Sequence, residues 1–173
     1  ENGFSLLLSD SVDFLAVRSH KRYSCSGCSA LFLQNGVLFK GSIAEFSTQA
    51  FVLHLEAEFP YTFSWLNTDS TSTVTVQKEK QLLFSGECRI VRWEGNDHSR
   101  RYIVEPINTD IKRFKPKQYR SDRYRPDSTV FASFNHPLTG NTIELALFDL
   151  SVSGFSVREK RGSESLFPGL VIP

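Results

Sequence analysis

The chain has 173 residues, of which 40% are hydrophobic and 23% are charged, and its formal net charge is +1. This composition is ordinary for a globular protein, and the balanced charge argues neither for nor against a nucleic-acid partner. No apolar run approaches the roughly 20 residues that a helix needs to cross a bilayer, so we expect no membrane span. The first residue is Glu1 rather than Met, which leads us to expect a fragment or a processed product.

The first half of the chain has the residue usage of β-strands. The whole chain has 15 Phe and no Met, and over its first hundred or so residues the apolar residues come in short runs with many Val, Ile, Thr and Ser. Asn35-Gly36 is a strong hairpin signal, and residues 94–97 (Glu-Gly-Asn-Asp) predict a second turn. No segment carries a sustained helical stripe of apolar residues. We predict strands in this half over Val12–Arg18, Val37–Ile43, Phe51–Glu56, Ser72–Gln77, Gln81–Trp93 and Arg101–Glu105.

Three cysteines occur, Cys25, Cys28 and Cys88. A C-x-x-C pair can hold zinc or do redox chemistry, but structural zinc needs four ligands and no second pair is present. His20 and His54 fall at no recognised ligand spacing. A redox pair is typical of a βαβ context, whereas the surroundings here predict strands. We therefore expect three reduced thiols and no metal.

A basic segment follows the first set of strands. Between Ile111 and Arg125 lie seven basic residues and a single acidic one, Asp122. Such a segment contributes little to a core and predicts an exposed linker. Strand character returns over Thr129–Asn135 and Thr142–Leu150, with a turn predicted at residues 136–140.

Enzyme motifs are absent from the sequence. It contains no phosphate-binding glycine loop, no H-E-x-x-H and no G-x-S-x-G. Its carboxylates and four histidines are scattered, so their spacing suggests no acid–base pair. We expect a protein that is not an enzyme, with no catalytic residue and no cofactor.

The segment Asp149-Leu150-Ser151-Val152-Ser153-Gly154 stands out when it is taken together with the basic segment about 25 residues earlier. Taken alone, such a motif indicates a strand end that turns over, stabilised by side-chain-to-backbone hydrogen bonds. In this order and spacing the two segments resemble the PilZ domain. That family carries R-x-x-x-R before its barrel and (D/N)-x-S-x-x-G on an early strand and turn.

The second PilZ motif matches at Asp149, Ser151 and Gly154, whereas the first one departs from the pattern. If Arg123 is its second arginine, Tyr119 stands in place of the first, with Arg120 one residue later. We interpret Arg120 as a substitute in a shifted register, assisted by Arg125 or Lys117.

The resemblance implies an all-β fold of two small antiparallel β-barrel domains joined by a basic linker, the C-terminal barrel being truncated. Residues 1–108 would form a PilZ-like barrel, as in flagellar-brake and spirochaete-type two-domain PilZ proteins, which the pattern Phe39-x-Gly41-x-Ile43 resembles. Residues 109–125 would form the linker and residues 126–173 a partial PilZ domain. In the tail, Leu166–Ile172 resembles the family's next stretch, in which a bulky pair and a glycine precede a new strand.

The ligand that the resemblance implies is cyclic di-GMP. An arginine fork can bind guanine O6 and N7 or a phosphate, and a carboxylate suits the guanine N1–H and N2–H₂ donors. The ligand-binding residues implied are Arg120, Arg123, Arg125, Asp149, Ser151, Ser153 and Gly154.

The function implied is that of a cytoplasmic cyclic di-GMP receptor. Ligand bound at the linker and the PilZ barrel would change the arrangement of the domains and so regulate an unidentified protein target in motility, surface behaviour or virulence. Two alternatives remain open. One is a degenerate PilZ-like interaction module without ligand. The other is a β-barrel that binds single-stranded nucleic acid through the basic linker and aromatic residues such as Tyr119 and Tyr124.

Overall fold

The computed structural model describes residues 20–108 and 121–173, and within these ranges the protein is built from strands. The helical element of the described part is one short 3-10 turn, Phe63–Trp65. No helix in these residues is long and apolar enough to span a membrane. The predicted strand Val12–Arg18, Tyr119 and Arg120 lie outside the described residues. The strands are β1 (Tyr23–Ser24), β2 (Ser29–Gln34), β3 (Val37–Phe46), β4 (Phe51–Glu56), β5 (Ser72–Lys78), β6 (Gln81–Gly95), β7 (Ser99–Asn108), β8 (Phe131–Asn135), β9 (Thr142–Ser151) and β10 (Gly154–Arg158).

Strands β2 to β7 form a closed antiparallel barrel. The sheet runs in the order β3-β2-β5-β6-β7-β4, and β4 pairs back with β3, so the six strands close on one another; β1 adds to β3. At the β2–β3 turn, Asn35 and Gly36 have φ angles of 50° and 80°, as a type I′ hairpin turn requires. The hairpin predicted there is confirmed, and β4 has the predicted bounds.

Aromatic rings fill the barrel core. Phe51 meets Phe84 edge to face with ring centroids 5.0 Å apart, and Phe39 stacks on Phe63 at 4.9 Å. Gly41 lies where β3 crosses β4 closely, and a Cβ at this position would collide with the carbonyl oxygen of His54. The glycine in the Phe-x-Gly-x-Ile pattern of β3 is therefore required by the close approach of these two strands.

Strands β8, β9 and β10 form a second, separate antiparallel sheet in the order β10-β9-β8. In the described residues this sheet is open, with three strands, where the sequence predicted part of a barrel. Ser151 pairs with Gly154, so the β9–β10 hairpin has the two-residue loop Val152-Ser153. The division of the chain into residues 1–108, 109–125 and 126–173 remains a prediction.

The core of the barrel includes residues that come after the basic segment. His136 and Leu138, in the turn between β8 and β9, are buried, and the His136 ring stacks on Phe46 with centroids 5.3 Å apart. Phe167 is 6% exposed, and its ring centroid lies 5.2 Å from that of Phe51. The second sheet is therefore attached to the barrel through its own turn and through the tail.

The prediction of a new strand in the tail, residues 166–173, is wrong. Residues 166–173 contain no strand, although a new strand was expected to start there. Instead the tail turns at Phe167, whose carbonyl accepts from the Leu170 N–H, and the Val171 N–H donates to the Leu83 carbonyl at 2.8 Å. Burial of the Phe167 ring holds this segment against the barrel in place of strand pairing.

The three cysteines are free thiols. Burial raises the pKa of Cys88 to about 12, and burial together with a hydrogen bond to Cys28 raises that of Cys25. A thiol with a raised pKa is a poor nucleophile and a poor metal ligand. Among the described residues no three His, Cys, Asp or Glu side chains lie close enough to hold a metal ion together.

We predict that Phe167→Ala destabilises the barrel by about 3–5 kcal/mol, because it removes a buried ring and leaves a cavity. Phe155→Ala is the matched control, since Phe155 is 55% exposed, and it should cost less than about 1 kcal/mol. The measurement is urea unfolding followed by circular dichroism. Equal effects of the two substitutions would show that the tail is not part of the barrel core.

We also predict that stability decreases as the pH falls through the ordinary pKa of histidine. Burial lowers the pKa of His136 below 6.5, although the hydrogen bond to Ser165 and the nearby Glu159 oppose this shift. Below about pH 7 the unfolded chain therefore binds more protons at this position, and folding stability is lost. Urea midpoints between about pH 7.5 and 5 should fall in the wild type and fall less steeply in His136→Gln. Parallel pH dependence in both proteins would refute this.

Candidate functional site

A backbone bridge brings the end of the basic segment to the second sheet. The Tyr124 N–H donates to the Leu150 carbonyl at 2.9 Å, and the Leu150 N–H donates to the Tyr124 carbonyl at 3.0 Å. Residues on either side of a paired residue point to the opposite face. Arg123 and Arg125 therefore lie on the face of the sheet that carries Asp149, away from the exposed rings of Tyr124 and Phe155.

Arg123 and Asp149 form an ion pair at this end of the sheet. Arg123 Nη1 donates to Asp149 Oδ1 and, at 2.7 Å, to Ser156 Oγ. Ser156 is the cross-strand partner of Asp149. The hydrogen bond with Ser156, followed by the hydrogen bond and charge of Arg123 and the charge of Arg125, lowers the pKa of Asp149, and partial burial opposes this. The carboxylate is therefore ionised at neutral pH.

The serines of the second motif stabilise the hairpin turn. Ser151 Oγ donates to the Gly154 carbonyl at 3.1 Å and accepts from the Ser153 N–H at 3.3 Å. The Ser121 hydroxyl donates to Ser153 Oγ at 3.2 Å. Gly154 has a nearly extended φ of 158°, and a Cβ built on it would meet no atom within 4 Å. The open space beside Gly154 leaves room for a ligand next to the turn.

A β-bulge adds an aromatic ring to the same end of the sheet. Ser156 pairs with Asp149 and Val157 pairs with Leu147, so Phe148 is the extra residue on β9. Arg125 Cζ lies 4.3 Å and Arg158 Cζ 4.4 Å from the centroid of the Phe148 ring. Both contacts are in the range of cation–π interactions.

The structure brings together most of the residues predicted from the sequence. Arg120 lies outside the described residues, and the remaining six are Arg123, Arg125, Asp149, Ser151, Ser153 and Gly154. Three further side chains that the sequence analysis did not name lie in contact with this group: Ser156, Phe148 and Arg158. The position of Ser156 follows from the length of the hairpin loop. If Val152 and Ser153 form a two-residue loop, Ser151 pairs with Gly154, and the antiparallel register then places Ser156 opposite Asp149. No sequence signal marks the bulge at Phe148.

The site is rich in positive charge. Three arginines converge on it, and one carboxylate, that of Asp149, accepts from one of them. In the part of the chain that the structure describes, neither Arg125 nor Arg158 forms an ion pair. An excess of exposed guanidinium groups beside hydroxyls suits an anionic ligand.

The barrel carries a groove of about 520 Å³ that has a different chemistry. Its two charged residues form an ion pair, with Arg89 Nη2 2.6 Å from Glu105 Oε2, so their charges offset each other. The groove is lined by Thr48, Gln49, Arg89, Glu105, Pro106, Ile107, Phe167 and Pro168. It offers no converging charges comparable to those around Asp149.

Comparisons with known proteins give one distant similarity. No protein-family profile and no curated protein sequence matches the chain. Among solved structures, the chain is similar to the crystal structure of the Borreliella burgdorferi PlzA protein in complex with c-di-GMP. The sequence identity is 12% and the TM-score 0.36, and the match covers 71% of this chain and 62% of that chain. The chain thus spans less than two thirds of the PlzA chain, and the similarity is too distant to assign it a ligand.

We predict that Ser156→Ala and Arg123→Ala each raise the pKa of Asp149 towards the ordinary value of an aspartate, because each removes a group that stabilises the carboxylate. NMR titration of the side-chain carboxyl carbon measures this directly. Arg161→Ala removes an exposed arginine whose charge does not shift the pKa of Asp149, and it should leave the titration unchanged. An unaltered midpoint in both site variants would contradict the geometry.

Proposed function

We propose that the protein is a non-enzymatic receptor for cyclic di-GMP. The ligand would bind where residues 121–125 run beside β9 and the β9–β10 hairpin. The observation that carries this proposal is the convergence of Arg123 and Arg125 on the face of Asp149, within a sequence that resembles the two PilZ motifs. Residues from both motif segments, distant in the chain, lie together at one end of a small sheet.

The chemistry of these groups matches the two parts of the ligand. Cyclic di-GMP has two phosphates and two guanines, and an arginine fork binds either a phosphate or the guanine O6 and N7 pair. An ionised aspartate only accepts hydrogen bonds, so it suits the N1–H and N2–H₂ donors of guanine. The lowered pKa of Asp149 keeps it in this acceptor form.

Arg123 retains donors for a ligand. Its bonds to Asp149 and Ser156 both use Nη1, and no described residue accepts from its Nη2 or Nε. A guanidinium has five N–H donors, so Arg123 can hold Asp149 in place and still bind a phosphate or a base edge. Arg120 would contribute from the neighbouring basic segment.

The signal would pass from the ligand to a protein target in the cytoplasm, in control of motility, surface behaviour or virulence. Ligand contacts to arginines at the end of the linker, residues 109–125, would restrict that segment and so alter how residues 1–108 are arranged relative to residues 126–173. Such a receptor needs no catalytic group and no cofactor.

We predict that isothermal titration of the full-length protein with cyclic di-GMP shows specific binding, and that Arg123→Ala weakens it at least about tenfold, because a charge-assisted contact is lost. Asp149→Asn should cost less but reduce the preference for cyclic di-GMP over cyclic di-AMP. Arg89→Ala is the matched control, since Arg89 is an ion-paired arginine on the barrel.

Two results would contradict the proposal. If Arg123→Ala binds as tightly as the wild type, the arginine contact is wrong. If the wild type binds no cyclic di-GMP, the degenerate interaction module becomes the better account. Tight binding of a single-stranded oligonucleotide with a steep salt dependence would instead favour the nucleic-acid alternative.

A further inference from the structure

We infer that Arg158 and Phe148 belong to the ligand site, where Phe148 orients the guanidinium groups of Arg125 and Arg158 to bind a planar, phosphate-bearing group such as one nucleotide unit. This inference rests on the proposed function and extends the site along β10. Neither Arg158 nor Phe148 lies in the two motifs that the sequence matched.

The two guanidinium groups share one aromatic ring. They come from segments far apart in the chain, the basic segment and the end of β10, and they meet because the bulge displays Phe148 between them. Each Cζ lies within 4.5 Å of the ring centroid, so the two charges are less than about 9 Å apart. Phe148 is half-buried and both arginines are exposed.

Two exposed guanidinium groups at this distance add to each other's positive potential, and each is held in place by its contact with the ring. Asp149 already accepts from Arg123. Among the described residues no carboxylate pairs with Arg125 or Arg158. An anion bound here would be attracted by both guanidinium groups, so the arrangement favours a ligand that carries phosphate.

The ring also fixes orientation. A guanidinium over an aromatic ring keeps its N–H donors at the edge of the stack and presents its second face to solvent. A base can stack on that face, while a phosphate can accept from the edge. Ser156 and Arg158 are two residues apart on β10, so their side chains point to the same face of the sheet. Arg158 therefore lies on the face that carries Asp149, the cross-strand partner of Ser156.

The test is titration of cyclic di-GMP against the full-length protein and four variants. Arg158→Ala should weaken binding about tenfold or more. Arg158→Lys should recover only part of this loss, because an ammonium neither stacks nor forms a fork. Phe148→Leu should weaken binding by a smaller factor, since the arginines lose the ring that orients them. Arg161→Ala, an exposed arginine in the turn after β10, removes the same charge and should change affinity less than about twofold.

Each outcome supports or overturns a stated claim. If Arg158→Ala binds like the wild type while Arg123→Ala does not, this inference is wrong and the proposed function stands. If Arg158→Lys restores full affinity, the stacking role is wrong. If the wild type binds no cyclic di-GMP, the proposed function and this inference fail together. Circular dichroism and thermal unfolding would show whether a variant that loses binding is still folded. Because Arg158 is exposed, Arg158→Ala and Arg158→Lys should fold like the wild type, so these two variants decide the inference.

Discussion

Two backbone hydrogen bonds between Tyr124 and Leu150 determine where the charges of the candidate site lie. This bridge is the backbone pairing that aligns Tyr124 with β9. With it, Arg123 and Arg125 must point to the face of Asp149, because residues flanking a paired position alternate. The resemblance of the sequence to PilZ motifs predicted these three side chains as ligand contacts. It did not predict that Arg123 and Asp149 would bind each other, since that contact depends on the register of the bridge.

A second constraint attaches the sheet to the barrel. His136 and Leu138 precede β9, and Phe167 follows β10, and all three are buried in the barrel core. β9 then runs from this buried turn to Asp149 near its far end, over a length of roughly 30 Å for its ten residues. One strand therefore connects the hydrophobic attachment to the charged end of the sheet. Contacts made at the site act on an element whose other end is fixed in the barrel.

The barrel strands could be predicted because their residue usage and turns are local signals. Phe51–Glu56 was predicted with its observed bounds, and Asn35-Gly36 forms the expected hairpin. β2 was missed because its apolar residues do not alternate with polar ones and because its Gln34 is buried, with hydrogen bonds to the loop at residues 67–72. The burial of His136 could not be predicted, since a turn containing Pro and Gly is normally on the surface. The bulge at Phe148 depends on tertiary register alone.

The central claim is that cyclic di-GMP binds at the end of the second sheet. The most direct measurement is a ¹⁵N NMR titration of the full-length protein that maps amide shifts onto the structure. The account predicts the largest shifts in residues 121–125 and 148–158, with additional shifts of the arginine Nε signals and little change in the barrel strand Phe51–Glu56. Shifts concentrated around the barrel groove, at Thr48 and Ile107, or no shifts at millimolar ligand, would contradict it.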